Sequence, residues 1–110
     1  MNRWRIPAWL EREVVERDRY SVYCGVAFVP GNPSRRSKPS WEHIVNDVRI
    51  VTRENIARCC LSCNASKGAR DLQIWLESEY CKCRRITAES VADVVKAALA
   101  ETARRRASDI

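Results

Sequence analysis

Three segments, Trp41-Glu42-His43-Ile44, Arg53-Glu54-Asn55-Ile56 and Cys60-Leu61-Ser62-Cys63-Asn64-Ala65-Ser66-Lys67-Gly68, follow one another within residues 41–68, and how they are read decides the fold. His43 is the only histidine of the 110-residue chain. It is also the one side chain whose unperturbed pKa lets it accept a proton near neutrality. A histidine standing alone is more often structural, but this one has neighbours that change its meaning. Glu42 offers a hard carboxylate oxygen beside it and Asn64 a hard amide oxygen, a donor set that suits Mg2+ or Mn2+ and leaves coordination positions for water and phosphate. Cys60 and Cys63 form a C-x-x-C, in which two thiolates can grip one zinc from a tight turn.

Upstream, residues 20–29 (Tyr-Ser-Val-Tyr-Cys-Gly-Val-Ala-Phe-Val) are β-branched and aromatic around one glycine, the pattern of a short hairpin or knuckle. Cys24 lies in its Tyr23-Cys24-Gly25 turn. A complete zinc ribbon would need a second C-x-x-C ending at Cys24, yet Ser21 holds the position three residues earlier. Six cysteines in a reducing compartment point to metal ligation or to burial rather than to disulfides. Cys24, Cys60 and Cys63 would make a zinc site if Cys81 or Cys83 folded back as fourth ligand; otherwise these thiols are small buried hydrophobes. Residues 30–40, rich in proline, glycine, serine and cations, predict a mobile surface loop. Its Arg35 and Arg36 either touch phosphates or belong to a solvated connector.

The flanks predict helices. Pro7 suits a first turn, and Trp9, Leu10 and Val14 recur at helical spacing, giving a helix over about 7–18. Leu72, Trp75, Leu76 and Tyr80 share one face of a helix over about 71–79. A longer helix over about 87–106 takes Thr87 as N-cap, with Val91, Val94, Val95, Ala98 and Leu99 on its apolar stripe. Arg104, Arg105 and Arg106 complement its negative end or form a frayed cationic tail. The expected architecture is α+β, one domain over 1–110.

Twenty Lys and Arg against fourteen Asp and Glu give a formal charge of +6, which favours a polyanionic partner. The cations are scattered along the chain and not gathered on one amphipathic helix, so nucleic acid is favoured over a membrane surface. No apolar run reaches the roughly 20 residues needed to cross a bilayer, and residues 1–7 lack the apolar stretch of a secretory signal. A cytoplasmic location is the expectation.

The ordered E-H, N and C-x-x-C-N-x-x-K-G set resembles the HNH endonuclease family, over about half the chain from Arg17 to Gly68. The resemblance implies a small ββα-metal finger at about 41–68, packed against the N-terminal and C-terminal helices, and hydrolysis of DNA phosphodiester bonds with Mg2+ or Mn2+. By that resemblance His43 is the general base, Glu42 and Asn64 are metal ligands, and Asn55 bonds backbone across the finger so that His43 points inward. Lys67 is then a phosphate-facing cation, with Arg35, Arg36, Arg58 and Arg70 as further DNA contacts. Zinc is the structural metal of the members that carry four cysteines. Two departures stand out: Glu42 replaces the commoner Asp, and Ser21 replaces one cysteine. Two rival readings keep the scaffold without the chemistry: a catalytically silent nucleic-acid-binding module, and a zinc-stabilised interaction domain.

Overall fold

An antiparallel pairing of two five-residue strands organises the molecule. β1 (Pro39–His43) runs against β2 (Ile56–Cys60), with Pro39 opposite Cys60 and His43 opposite Ile56. The computed structural model describes residues 2–31 and 33–108. In chain order the helices are α1 (Ala8–Arg17), then, after the strands, α2 (Leu61–Lys67), α3 (Leu72–Leu76), α4 (Glu79–Arg84) and α5 (Asp93–Ser108). The architecture is α+β, with one two-stranded sheet and helices on either side of it.

Directly opposed residues of an antiparallel pair share a face, so the register sorts the side chains. Ser40, Glu42, Ala57 and Cys59 point to one side; Trp41, His43, Ile56 and Arg58 point to the other. Each face has its own core. On the second side, Ile6, Leu10, Val14 and Ile56 are completely buried, with Trp4, Trp41 and Val51 packed against them. Leu10 and Val14 recur at helical spacing, which is why α1 presents this stripe to the sheet; each fully buried aliphatic side chain contributes ~1.5–3 kcal/mol. On the first side lies the larger core, in which Val22, Tyr23, Ala57, Cys59, Cys63, Trp75 and Val95 meet. The Trp75 ring is completely buried and its indole N–H donates to Ser66 Oγ at 2.9 Å.

The end of α1 is tied to β2 by a buried carboxylate. Asp18 accepts from the Arg17 guanidinium at 2.8 Å and from the backbone N–H of Arg58 at 3.1 Å, while Arg17 donates to the carbonyls of Arg53 and Ile56. The 20–29 segment is a tight turn closed by a bridge between Tyr20 and Ala27, with Gly25 at φ 77°, in the region glycine enters without strain.

Three boundaries differ from the sequence reading. Pro39 and Ser40, assigned to the loop, open β1. The helix expected over 71–79 is two helices, because Ser78 turns its hydroxyl back to the N–H of Cys81 and starts α4 afresh. Thr87 caps no long helix. It exchanges side-chain-to-backbone bonds with Ser90 in a separate turn, Val91 is buried there, and the Ala92 N–H is held by the Val22 carbonyl, so α5 begins only at Asp93. No helix among the described residues is long and apolar enough to cross a membrane.

Candidate active site and metal centre

The helix α2 follows β2 without a linker, with Cys60 as its N-cap and the Cys60 sulfur accepting from the Cys63 N–H. Asn64 and Lys67, three residues apart, project from one side of α2 onto β1. The Asn64 amide nitrogen donates to Ser40 Oγ and to the Trp41 carbonyl, both at 2.9 Å. One turn on, the Lys67 ammonium meets Glu42 Oε2 at 3.1 Å and the His43 carbonyl at 3.5 Å. Glu42, Asn64 and Lys67 are thus brought together on one side of β1.

The same Glu42 Oε2 accepts a hydrogen bond from the Tyr23 hydroxyl at 2.6 Å. Burial, together with the Glu42 charge beside it, pushes the Tyr23 phenol well above its ordinary pKa, so it stays neutral and donates. Two donors therefore converge on Oε2, while among the described residues none bonds Oε1. Asn64 shows the same division: its nitrogen is doubly engaged and its oxygen is unengaged. Each side chain is fixed through one atom and presents one hard oxygen.

His43 ends the strand on the opposite face. Its imidazole packs edge-on against Trp4, with ring centroids 5.9 Å apart, and only 8% of the residue is exposed. Nε2 is enclosed without a hydrogen-bond partner; Nδ1 is not enclosed. Burial lowers its pKa from the ordinary 6.5, with the Glu42 charge pulling the other way, so the ring is neutral at pH 7. Trp4 is held there by the Asn2 side chain, whose oxygen accepts from the N–H groups of Trp4 and Ile6.

Asn55 lies where β2 begins and reaches back across the 44–55 connection. Its side-chain oxygen accepts from the Val45 N–H at 2.7 Å, and its nitrogen donates to the carbonyls of Val45 and Ile50 at 3.2 and 3.1 Å. Adding the backbone bond from the Ile44 N–H to the Asn55 carbonyl, the residue fixes the chain immediately after His43. Such a buried polar hub is costly to disturb, since any partner left unpaired loses ~1–3 kcal/mol.

The candidate cations divide. Lys67, expected to face phosphate, is 1% exposed and committed to Glu42, so in this arrangement it holds the carboxylate and does not reach a ligand outside. Arg58 is half-buried with its guanidinium over the Phe28 ring. Arg35, Arg36 and Arg70 are exposed. Arg104 and Arg105 pair with Glu101, and Arg106 approaches Asp71 at 3.8 Å.

At the other end of the hairpin, the sulfurs of Cys24, Cys60 and Cys63 lie within 4.8 Å of one another and could hold a metal ion. Cys24 and Cys60 are 3.7 Å apart. Hydrogen bonds from Cys60 and Cys63 push the Cys24 thiol below its ordinary pKa, while sharing those bonds raises Cys63. The fourth ligand expected from Cys81 or Cys83 is not there. Cys81 is buried in the larger core, Cys83 is exposed on α4, and neither joins the sulfur group.

Sequence reasoning missed Tyr23, Ser40 and Trp4 as partners of the site. Tyr23 adjoins Cys24 and Ser40 precedes the E-H pair by two positions, but nothing in their spacing announces a bond to a carboxylate or to an amide. Trp4 comes from the far N-terminal segment and carries no local signal at all. Compared with known protein families, with curated proteins and with solved structures, the chain finds no match.

Proposed function

We propose that this chain is a metal-dependent DNA endonuclease of the HNH type, built on a ββα-metal finger made of β1, β2 and α2. The observation that carries the reading is the division of labour within two side chains: Glu42 and Asn64 are each anchored through one atom, leaving Oε1 and Oδ1 without a hydrogen bond among the described residues, while His43, next in the chain to Glu42, stands on the other face of β1. Two hard oxygens fit Mg2+ or Mn2+, and the remaining positions of such an ion suit water and phosphate. When bound, the cation would act as Lewis acid and template for the phosphodiester.

The chain's own residues would do the rest. His43, already neutral, accepts the proton of the attacking water, a role that contributes ~10^2–10^4-fold. Nδ1 is the nitrogen available to it, because Nε2 is enclosed. Lys67 and Tyr23 hold the Glu42 carboxylate in place through Oε2, and Asn55 fixes the backbone that follows His43. The exposed Arg35, Arg36 and Arg70 supply sequence-independent contacts to DNA phosphates.

A second reading has its own observation. The Cys24, Cys60 and Cys63 sulfurs support a structural zinc that would fasten the 20–29 turn to the start of α2, whether or not the chain cuts DNA. The nuclease reading is tested by incubating supercoiled plasmid with the protein and Mg2+ or Mn2+, alongside His43→Ala. Metal-dependent conversion to nicked or linear DNA, lost in the variant by about two orders of magnitude or more, is expected. Equal cleavage by the variant, or salt-sensitive binding without cleavage, removes the catalytic assignment.

A further inference from the structure

The three-thiol cluster has a fourth side, and it faces oxygen. Ser21 and Cys24 are separated by two residues, as are Cys60 and Cys63, though the turns close differently: the Gly25 N–H bonds the Ser21 carbonyl, whereas the Cys63 N–H bonds the Cys60 sulfur. Ser21 is 3% exposed. Its hydroxyl oxygen accepts from the Cys60 N–H at 3.2 Å, so it adjoins one of the three cysteines of the cluster. The hydroxyl therefore sits among the ligand-bearing residues, and it does so through the same kind of N–H contact that orients a sulfur of the pair.

The spacing of the sulfurs is that of ligands. A tetrahedral zinc with Zn–S bonds of about 2.3 Å places its sulfurs about 3.8 Å apart. Cys24 and Cys60 stand at 3.7 Å, far longer than the ~2.05 Å of a disulfide. On the Cys63 side, the Tyr80 hydroxyl donates to the Cys63 sulfur at 3.3 Å and contacts Ser62 Oγ at 2.9 Å, so it supports a sulfur from outside the group. Cys81 and Cys83 stay out of the group.

We infer that this cluster is a metal site of three thiolates and one oxygen, with Ser21, or a water held by Ser21, at the fourth position. The inference rests on the structural-metal reading above and is independent of DNA cleavage. Two properties follow. A neutral hydroxyl or water is a weaker donor to zinc than a thiolate, so the ion is held less tightly than by four sulfurs. Cys24 is exposed, so small competing donors and chelators reach the centre from solvent.

The test uses the reduced 110-residue chain, stripped of metal and titrated with Co2+, whose thiolate charge-transfer absorption counts the sulfurs bound. One Co2+ per chain is expected, with Ser21→Cys raising the absorption by about a third, the step from three thiolates to four. Ser21→Cys is also expected to slow removal of Zn2+ by a chelator, whereas Cys81→Ala and Cys83→Ala leave both readings unchanged. A fall in absorption in either alanine variant would show a fourth cysteine ligand and overturn the inference while leaving the metal centre standing. An unaltered spectrum in Ser21→Cys overturns it likewise. Absence of Co2+ uptake by the parent chain overturns this inference and the metal-centre reading together.

Discussion

The two ends of the β1–β2 hairpin are held by different physics. Where Pro39 faces Cys60, the chain converges on soft sulfur: Cys24, Cys60 and Cys63 crowd together, with the Cys63 N–H and the Tyr80 hydroxyl donating to sulfurs of the group. Where His43 faces Ile56, the connection is closed by oxygen and nitrogen alone, through Asn55, and the neighbouring carboxylate is buried against Tyr23 and Lys67. The sulfur end could hold a metal ion. On the proposed reading, one short hairpin would separate a stabilising metal site from a chemical one.

The largest effect is expected from Lys67→Met, which leaves the Glu42 carboxylate buried and uncompensated. Removing one partner of a buried pair costs ~3–5 kcal/mol, read as a lower urea midpoint. Adding Glu42→Gln removes the orphaned charge and should recover much of the loss, since Tyr23 can still donate to the amide oxygen. If the single variant unfolds no more readily than the parent, the ion pair carries none of the weight assigned to it.

Next comes metal removal. A ligand at about a thousand times its Kd stabilises a fold by ~4 kcal/mol, so chelation should lower the midpoint by up to this amount, and Cys60→Ser should make the protein indifferent to chelator. The imidazole end predicts the opposite sensitivity. Asn55→Ala should cost ~1–3 kcal/mol with or without chelator, and amide exchange at Val45, whose N–H loses its acceptor, should accelerate.

The smallest effect concerns pH. The folded His43 pKa lies below 6.5, so between that lowered value and 6.5 the unfolded chain binds the extra proton and stability falls as the solution is acidified through this window. If His43 is the base, cleavage persists somewhat below pH 6.5 and then declines as the ring is protonated. Trp4→Ala uncovers the ring, so an NMR titration of the imidazole should move toward the ordinary value. No movement would mean that Trp4 does not set the burial of the ring.

How legible these ends were depended on sequence distance. The strands and α2 were expected only through the resemblance carried by the E-H, N and C-x-x-C-N segments, and local pattern alone placed Pro39 and Ser40 in a loop. Lys67 was expected to face phosphate by the resemblance alone; lysine is almost never fully buried unless paired, and its partner lies 25 positions away, across the hairpin. The covering of His43 by Trp4 joins residues from separate elements, and no local pattern encodes it. The split at Ser78 and the delayed start of α5 were settled by side-chain bonds of Ser78, Thr87 and Ser90 that compete with helix on nearly equal terms.

The contrast between the ends is tested most directly by a Mn2+ titration of the zinc-loaded, isotope-labelled chain, followed by paramagnetic broadening of its amide signals. If Glu42 and Asn64 hold the ion, the amides of residues 42, 43 and 64 and their chain neighbours broaden at the lowest Mn2+ additions, and this broadening weakens in Asn64→Ala. Broadening confined to exposed acidic residues, with residues 42, 43 and 64 untouched, would contradict the account.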